Sequence, residues 1–194
     1  MKKKILIIGA GGHAKSCIDL ILSTKKYKIA GLVDNKKKIG SKILGIKVIG
    51  RDEDLKKIFK NIKCAAIGIG AIKENFLRKK IFKKLKKVGF KIPSIISPVS
   101  YISKFCKIGE GTMVFHKTII NANANVKKCC LINSNALIEH DVTISDFCNI
   151  STNVTINGGV HVGSNSFLGS GTVIRENVNI KKNSFIKMGS LLKK

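Results

Sequence analysis

One stretch of the chain sets an imidazole between carboxylates: Ile138-Glu139-His140-Asp141-Val142. A histidine exposed to substrate and oriented by an acid can act as a general base, taking the proton of an amine or hydroxyl as it attacks a carbonyl. His140 with either Asp141 or Glu139 supplies that pair. A second stretch, Gly9-Ala-Gly-Gly-His-Ala14, has the G-x-G-x-x-A spacing in which a tight turn lets a phosphate approach the amides at a helix N-terminus. Asp34 falls where an acid binding a ribose hydroxyl would lie, and His13 beside the turn could hold a hydroxyl or phosphate oxygen. The same glycines would suit a dinucleotide such as NAD. The strands that follow are too few for a second mononucleotide half, and no domain for hydride transfer comes after them.

The elements that must position these residues follow two rhythms. From Ile96 to Leu192 every sixth residue is aliphatic, through Ile102, Ile108, Val114, Ile120, Val126, Ile132, Ile138, Ile144, Ile150, Ile156, Val162, Leu168, Ile174, Ile180 and Ile186. Four residues after each stands a smaller one, among them Cys106, Thr112, Ala124, Cys130, Ala136, Val142 and Cys148. One short strand and turn per hexapeptide, three to a coil, gives a left-handed parallel β-helix whose interior takes the aliphatic and whose tight corner takes the small residue. His140 and Asp141 then fall between two inward anchors, near a corner where side chains can leave the prism. Before residue 96 the pattern is strand (Lys3 to Ile8), glycine turn, helix (about His13 to Leu22), strand (Ile29 to Val33), short helix (Leu55 to Phe59), strand (Cys64 to Ile69), helix (Asn75 to Val88) and a last extended segment (Phe90 to Ile96). Alternating strands and helices imply a small Rossmann-like parallel α/β domain. The expected organisation is therefore two domains, 1–95 and 96–194.

Composition narrows the chemistry. The formal charge of +26 would suit a nucleic-acid partner, but most of the excess precedes residue 97, only Arg51, Arg78 and Arg175 are arginines, and lysine-rich stretches such as Arg78 to Lys87 carry Ile81, Phe82, Leu85 and Val88 at helical spacing. No nucleic-acid role is expected; a basic surface attracts anionic small molecules as well. Apolar runs are too short to cross a bilayer, and Lys2 to Lys4 lead into only Ile5 to Ile8, so neither a membrane anchor nor a signal peptide is expected. The cysteines, Cys17, Cys64, Cys106, Cys129, Cys130 and Cys148, make no CxxC pair and fit a reduced, cytoplasmic protein. Cys106, Cys130 and Cys148 occupy the small inward position and read as packing. His116, His140 and His161 are spaced too far apart along the coils to gather on one metal ion, so no metal is expected.

Taken together, Gly9-Ala-Gly-Gly-His13, Val33-Asp34-Asn35, Ala66-Ile-Gly-Ile-Gly70, Arg78-Lys-Lys-Ile81 and Ile138-Glu-His-Asp141 resemble the bacterial sugar acetyltransferases of the NeuD/PglD type across essentially the whole chain. The resemblance implies direct transfer of acetyl from acetyl-CoA to the amine of a nucleotide-activated amino sugar in surface glycan synthesis, in a homotrimer with active sites between adjacent β-helices. It makes His140 the general base and Asp141 its orienting acid. It places the acceptor against Ala10, Gly11, Gly12, His13, Asp34, Asn35 and Gly70, and coenzyme A along Asn149, Gly169 and Ser170. Family members commonly run past the last coil into a short Pro-containing tail that helps enclose the coenzyme; this sequence stops at Leu191-Leu-Lys-Lys194, which implies either more open cofactor binding or a loss of some activity. O-acetylation of a sialic-acid-like sugar is the neighbouring alternative, and a non-catalytic sugar-nucleotide-binding scaffold is the alternative from another class.

Overall fold

The computed structural model describes residues 2–70 and 76–193, which form two compact units, one ending at Pro93 and the other running from Ser94 onward. The first is built on a sheet of five strands. Strand β1 (Lys3–Ile8) lies in its interior, and its last four residues are buried on both faces, as a parallel strand under helices requires. Helix α1 (Gly12–Ser23) buries Ala14, Cys17, Ile18 and Ile21 at helical spacing and returns the chain to β2 (Tyr27–Val33) beside β1. β3 (Lys42–Ile43) and β4 (Ile46–Gly50) form a hairpin on the outside of β2, α2 (Leu55–Phe59) crosses over, and β5 (Cys64–Ile67) pairs on the other side of β1. The order is β3-β4-β2-β1-β5, so the sheet switches direction of growth at the C-terminal end of β1, where open α/β sheets hold ligands. Helix α3 (Phe76–Val88) turns Ile81, Phe82 and Leu85 inward and its lysines outward.

Several boundaries differ from those the sequence implies. β5 ends at Ile67 rather than Ile69, and the segment after Phe90 has only a bridge from Lys91 to Cys64 before the strand Ile95–Ile96. Asn75, expected to open α3, lies outside the described residues. The β3–β4 hairpin was not expected at all: its two turn residues have positive φ, 47° at Leu44 and 79° at Gly45, and a leucine there conceals the usual Asn-Gly or Asp-Gly signature. No helix among the described residues is long and apolar enough to cross a membrane.

The second unit is a parallel β-helix of the left-handed hexapeptide kind. Two-residue strands stack into three sheets, named here by one residue of each: the Leu137 face, the His161 face and the Asn149 face. Each strand pairs in parallel with those one coil away, as in Leu131↔Asn149↔Phe167. The second residue of every strand points inward, and Val114, Ile120, Ile132, Ile138, Ile144, Ile150, Ile156, Val162, Leu168 and Ile174 form one fully buried column system. The small position does more than fit. Thr112 Oγ1 donates to Lys127 O (2.8 Å), Ser166 Oγ to Lys181 O (3.0 Å), and the Cys130 and Cys148 thiols donate in the same way to Ser145 O (3.1 Å) and Gly163 O (3.2 Å). These cysteines are core donors that tie one coil to the next.

Between the aliphatic and the small residue, the corners from Gly111 onward pass through a left-handed residue: φ is 59° at Asn123, 64° at Asn135, 62° at Asp141, 56° at Asn153 and 65° at Asn165. Asn, Asp and Gly tolerate that conformation best and fill most of these positions, with Lys117, Cys129 and Phe147 the exceptions.

Candidate functional site

In the first unit, a cavity of about 400 Å³ opens at the switch point above β1. Gly11, Gly12, His13, Asp34, Asn35 and Gly70 line it; Ala10 does not, being 2% exposed. Ala10 instead gives its N–H to Asp34 Oδ2 at 2.8 Å. Asp34 Oδ1 accepts from the N–H groups of Lys36 (2.8 Å) and Lys37 (3.0 Å), so both carboxylate oxygens bind the protein's own backbone. Burial alone would raise this carboxyl, but the three amides outweigh it and hold Asp34 below its ordinary value. Asp34 thus fastens the glycine turn to the loop after β2, and Asn35 Oδ1 does likewise for the Asp52 amide (3.0 Å). Both residues shape the cavity more than they offer free groups to it. Lys36, Asp52, Leu77 and Ile81 also line it, and periodicity gave no sign of them.

His13 lies against Gly70, where an added Cβ would come within 3.3 Å of its own. Burial, and then the charge of Arg78, lower His13 to about 4, so its imidazole is neutral at physiological pH. Arg78 is itself 1% exposed and donates from Nη1 to Ile67 O (3.1 Å) and Ile69 O (2.5 Å), clamping the chain that leaves β5. A neutral imidazole among glycine amides can exchange hydrogen bonds with sugar hydroxyls or phosphate oxygens.

In the second unit, His140 and Asp141 sit at the corner between the Leu137 face and the His161 face. His140 Nδ1 is 2.8 Å from Asp141 Oδ2, and both side chains are more than half exposed. Asp141 is held below its ordinary value by hydrogen bonds from His140 and then Asn123, so it remains a carboxylate and His140 Nδ1 is the donor. That tautomer leaves the lone pair on Nε2. Glu139 does not compete for the ring: its Oε2 accepts from Asn121 Nδ2 at 2.8 Å, one coil back. The ring rests on Gly158, one coil on, where a Cβ would lie 2.6 Å from His140 Cε1 and 2.8 Å from Nε2. Asn123 and Gly158 escaped the sequence reading, although both lie one coil length from the pair.

Asn149, Gly169 and Ser170 are elsewhere on the prism. Asn149 is on a strand of the face that carries its name, 7% exposed, with Oδ1 accepting from Asn133 Nδ2 (2.9 Å). Gly169 and Ser170 turn the corner from that face toward the Leu137 face, where a Cβ on Gly169 would run into the Met188 amide and Ser170 Oγ accepts from Thr152 Oγ1 (2.9 Å). One copy of the chain therefore holds the two groups at different corners. The other histidines have separate partners, Ser97 Oγ for His116 (2.7 Å) and Ser145 Oγ for His161 (3.0 Å). Among the described residues no three His, Cys, Asp or Glu side chains gather as a metal site.

Comparison with known proteins gives a family match within each unit. Residues 4–85 match the family described as PglD N-terminal domain, and residues 141–176 match bacterial transferase hexapeptide (six repeats). PerB from Caulobacter crescentus, solved in complex with CoA and GDP-perosamine, superposes with a TM-score of 0.91 at 28% identity over 98% of this chain and 89% of that one. The acetyltransferase domain of PglB from Neisseria gonorrhoeae FA1090, in complex with acetyl coenzyme A, superposes at 0.88 with 25% identity over 99% of this chain and 93% of that one.

Proposed function

We propose that this chain, which belongs to the PglD-type bacterial hexapeptide N-acetyltransferases, moves acetyl from acetyl-CoA to the amine of a nucleotide-activated amino sugar with His140 as general base. The observation that carries the reading is the His140–Asp141 pair, with Nδ1 committed to the carboxylate at 2.8 Å on a side chain that is mostly exposed. As the neutral amine attacks the thioester carbonyl, a C–N bond forms and Nε2 takes the amine proton. The tetrahedral intermediate then breaks its C–S bond, and the proton passes from Nε2 to the departing thiolate. Asp141 stabilises the imidazolium in between. Holding acceptor and thioester together supplies much of the acceleration, and no covalent enzyme intermediate is required.

The nucleotide end of the acceptor is assigned to the cavity around His13, Gly11, Gly12 and Gly70, whose mouth the basic surface makes attractive to a diphosphate. Coenzyme A is assigned to Asn149, Gly169 and Ser170 of a neighbouring subunit in a homotrimer. Two observations support the trimer: the coenzyme residues and His140 occupy different corners of one prism, and the Leu137 face presents an exposed apolar column of Tyr101, Ile119, Val173 and Leu191. Six free cysteines favour a cytoplasmic enzyme.

The test is an assay of coenzyme A release with GDP-perosamine, UDP-linked 4-amino sugars and free nonulosonic acids as acceptors. Turnover with an amino sugar and its loss in His140→Ala, with acceptor binding and subunit mass unchanged, are expected. Turnover with hydroxyl acceptors alone would make the enzyme an O-acetyltransferase. Acceptor binding without any turnover would make it a scaffold.

A further inference from the structure

The corner residues with positive φ stack in columns, one column at each edge of the prism. Where two asparagines are stacked, the upper carboxamide accepts from the lower: Asn135 Nδ2 donates to Asn153 Oδ1 and Asn165 Nδ2 to Asn183 Oδ1, each at 2.9 Å. These rungs join neutral groups. In the column that carries Asp141 the same rung ends on a carboxylate. Asn123 Nδ2 donates to Asp141 Oδ1 at 2.6 Å, the short distance of a charge-assisted bond. Both residues share the left-handed backbone, φ 59° and 62°, so their side chains leave the corner in parallel.

With Oδ1 fixed from below, the other oxygen of Asp141 is directed at His140 Nδ1, 2.8 Å away. On the other side the next residue of the column is Gly159, which has no side chain to offer the carboxylate. The pair is more than half exposed, so water competes for each of its hydrogen bonds. A carboxylate with a single partner in such a place would rotate, and the imidazole with it.

We propose that Asn123 is a positioning residue for acetyl transfer, clamping Asp141 in the one orientation that keeps His140 Nδ1–H engaged and Nε2 presented to the acceptor. This rests on His140 being the base. Asn123 touches no substrate in this role and acts only through Asp141.

The experiment is steady-state kinetics on the full chain with acetyl-CoA and GDP-perosamine. Asn123→Gly keeps the backbone conformation and removes the donor; kcat should fall about tenfold, the worth of one charge-assisted hydrogen bond, with both KM values unchanged. Asn123→Asp, which sets a second carboxylate against the first, should cost more. Asn165→Gly removes an equivalent rung at another corner and should leave kcat unchanged. A double-mutant cycle separates positioning from stability: in an Asp141→Asn background, Asn123→Gly should change kcat by less than about twofold. Full kcat in Asn123→Gly, or losses that multiply across the cycle, would overturn the proposal while leaving His140 as base. Turnover surviving His140→Ala would remove both.

Discussion

The imidazole of His140 rests on a peptide unit, and that places a demand on Gly158 that has nothing to do with backbone freedom. Its φ is not in the left-handed region, so alanine fits the chain; the added Cβ would instead occupy the place of the ring, 2.6 Å from Cε1. Gly158→Ala should therefore fold normally yet lower kcat by about tenfold or more, with KM for the acceptor little changed, since a base displaced by about an ångström loses much of its effect. A thermal melt beside the kinetics checks both halves of that statement. His13 makes a prediction of another kind. Its value near 4 in the folded protein lies below the 6.5 of an unfolded histidine, so the unfolded chain takes up this proton first as pH falls. The stability that neutral His13 contributes is complete above about pH 6.5 and is lost progressively toward pH 4. Urea denaturation at pH 7 and pH 4.5 should show a larger loss for the native chain than for His13→Gln. Equal losses would mean that burial and Arg78 do not hold the ring neutral.

At the scale of elements, the hexapeptide sets two positions with different tolerances. Ile150 is fully buried among aliphatics from the coils around it, and Ile150→Ala should cost about 2–5 kcal/mol in chemical denaturation, the usual range for a cavity of that size. Cys148 is just as buried, but it works as a donor to Gly163 O, a task that Ser166 and Thr172 perform in their own coils. Cys148→Ser should therefore cost less than about 1 kcal/mol, because the hydroxyl keeps the hydrogen bond. The strict period of six made this unit legible, since one aliphatic per strand decides what points inward. The hairpin Lys42–Gly50 was hidden for the opposite reason: it is short, half exposed, and turns on a leucine in a conformation that leucine rarely takes.

At the scale of the whole molecule, the proposed homotrimer would take its contact surface from the outward column of the Leu137 face. Ile119 and Val173 remain 41% and 37% exposed in a single chain, and a charge at either would have to be buried against a neighbour in the trimer. Ile119→Glu or Val173→Glu should yield monomers by light scattering and, with them, loss of turnover, because His140 and the residues proposed for coenzyme A lie at separate corners of one prism. A variant that stays trimeric would move the interface to another face. By itself the sequence determined the period of the β-helix, the glycine turn beneath the cavity, and the histidine with acids on either side, since each depends on local spacing. Only the tertiary structure decided that Asp141 and not Glu139 holds the ring, that Asp34 is spent on its own backbone, and that Asn123 and Gly158 flank the His140–Asp141 pair. Those outcomes depend on which outward side chains meet across coils and strands. Inward periodicity is indifferent to that; it follows from corner conformation and parallel register, which place residues one coil apart in contact.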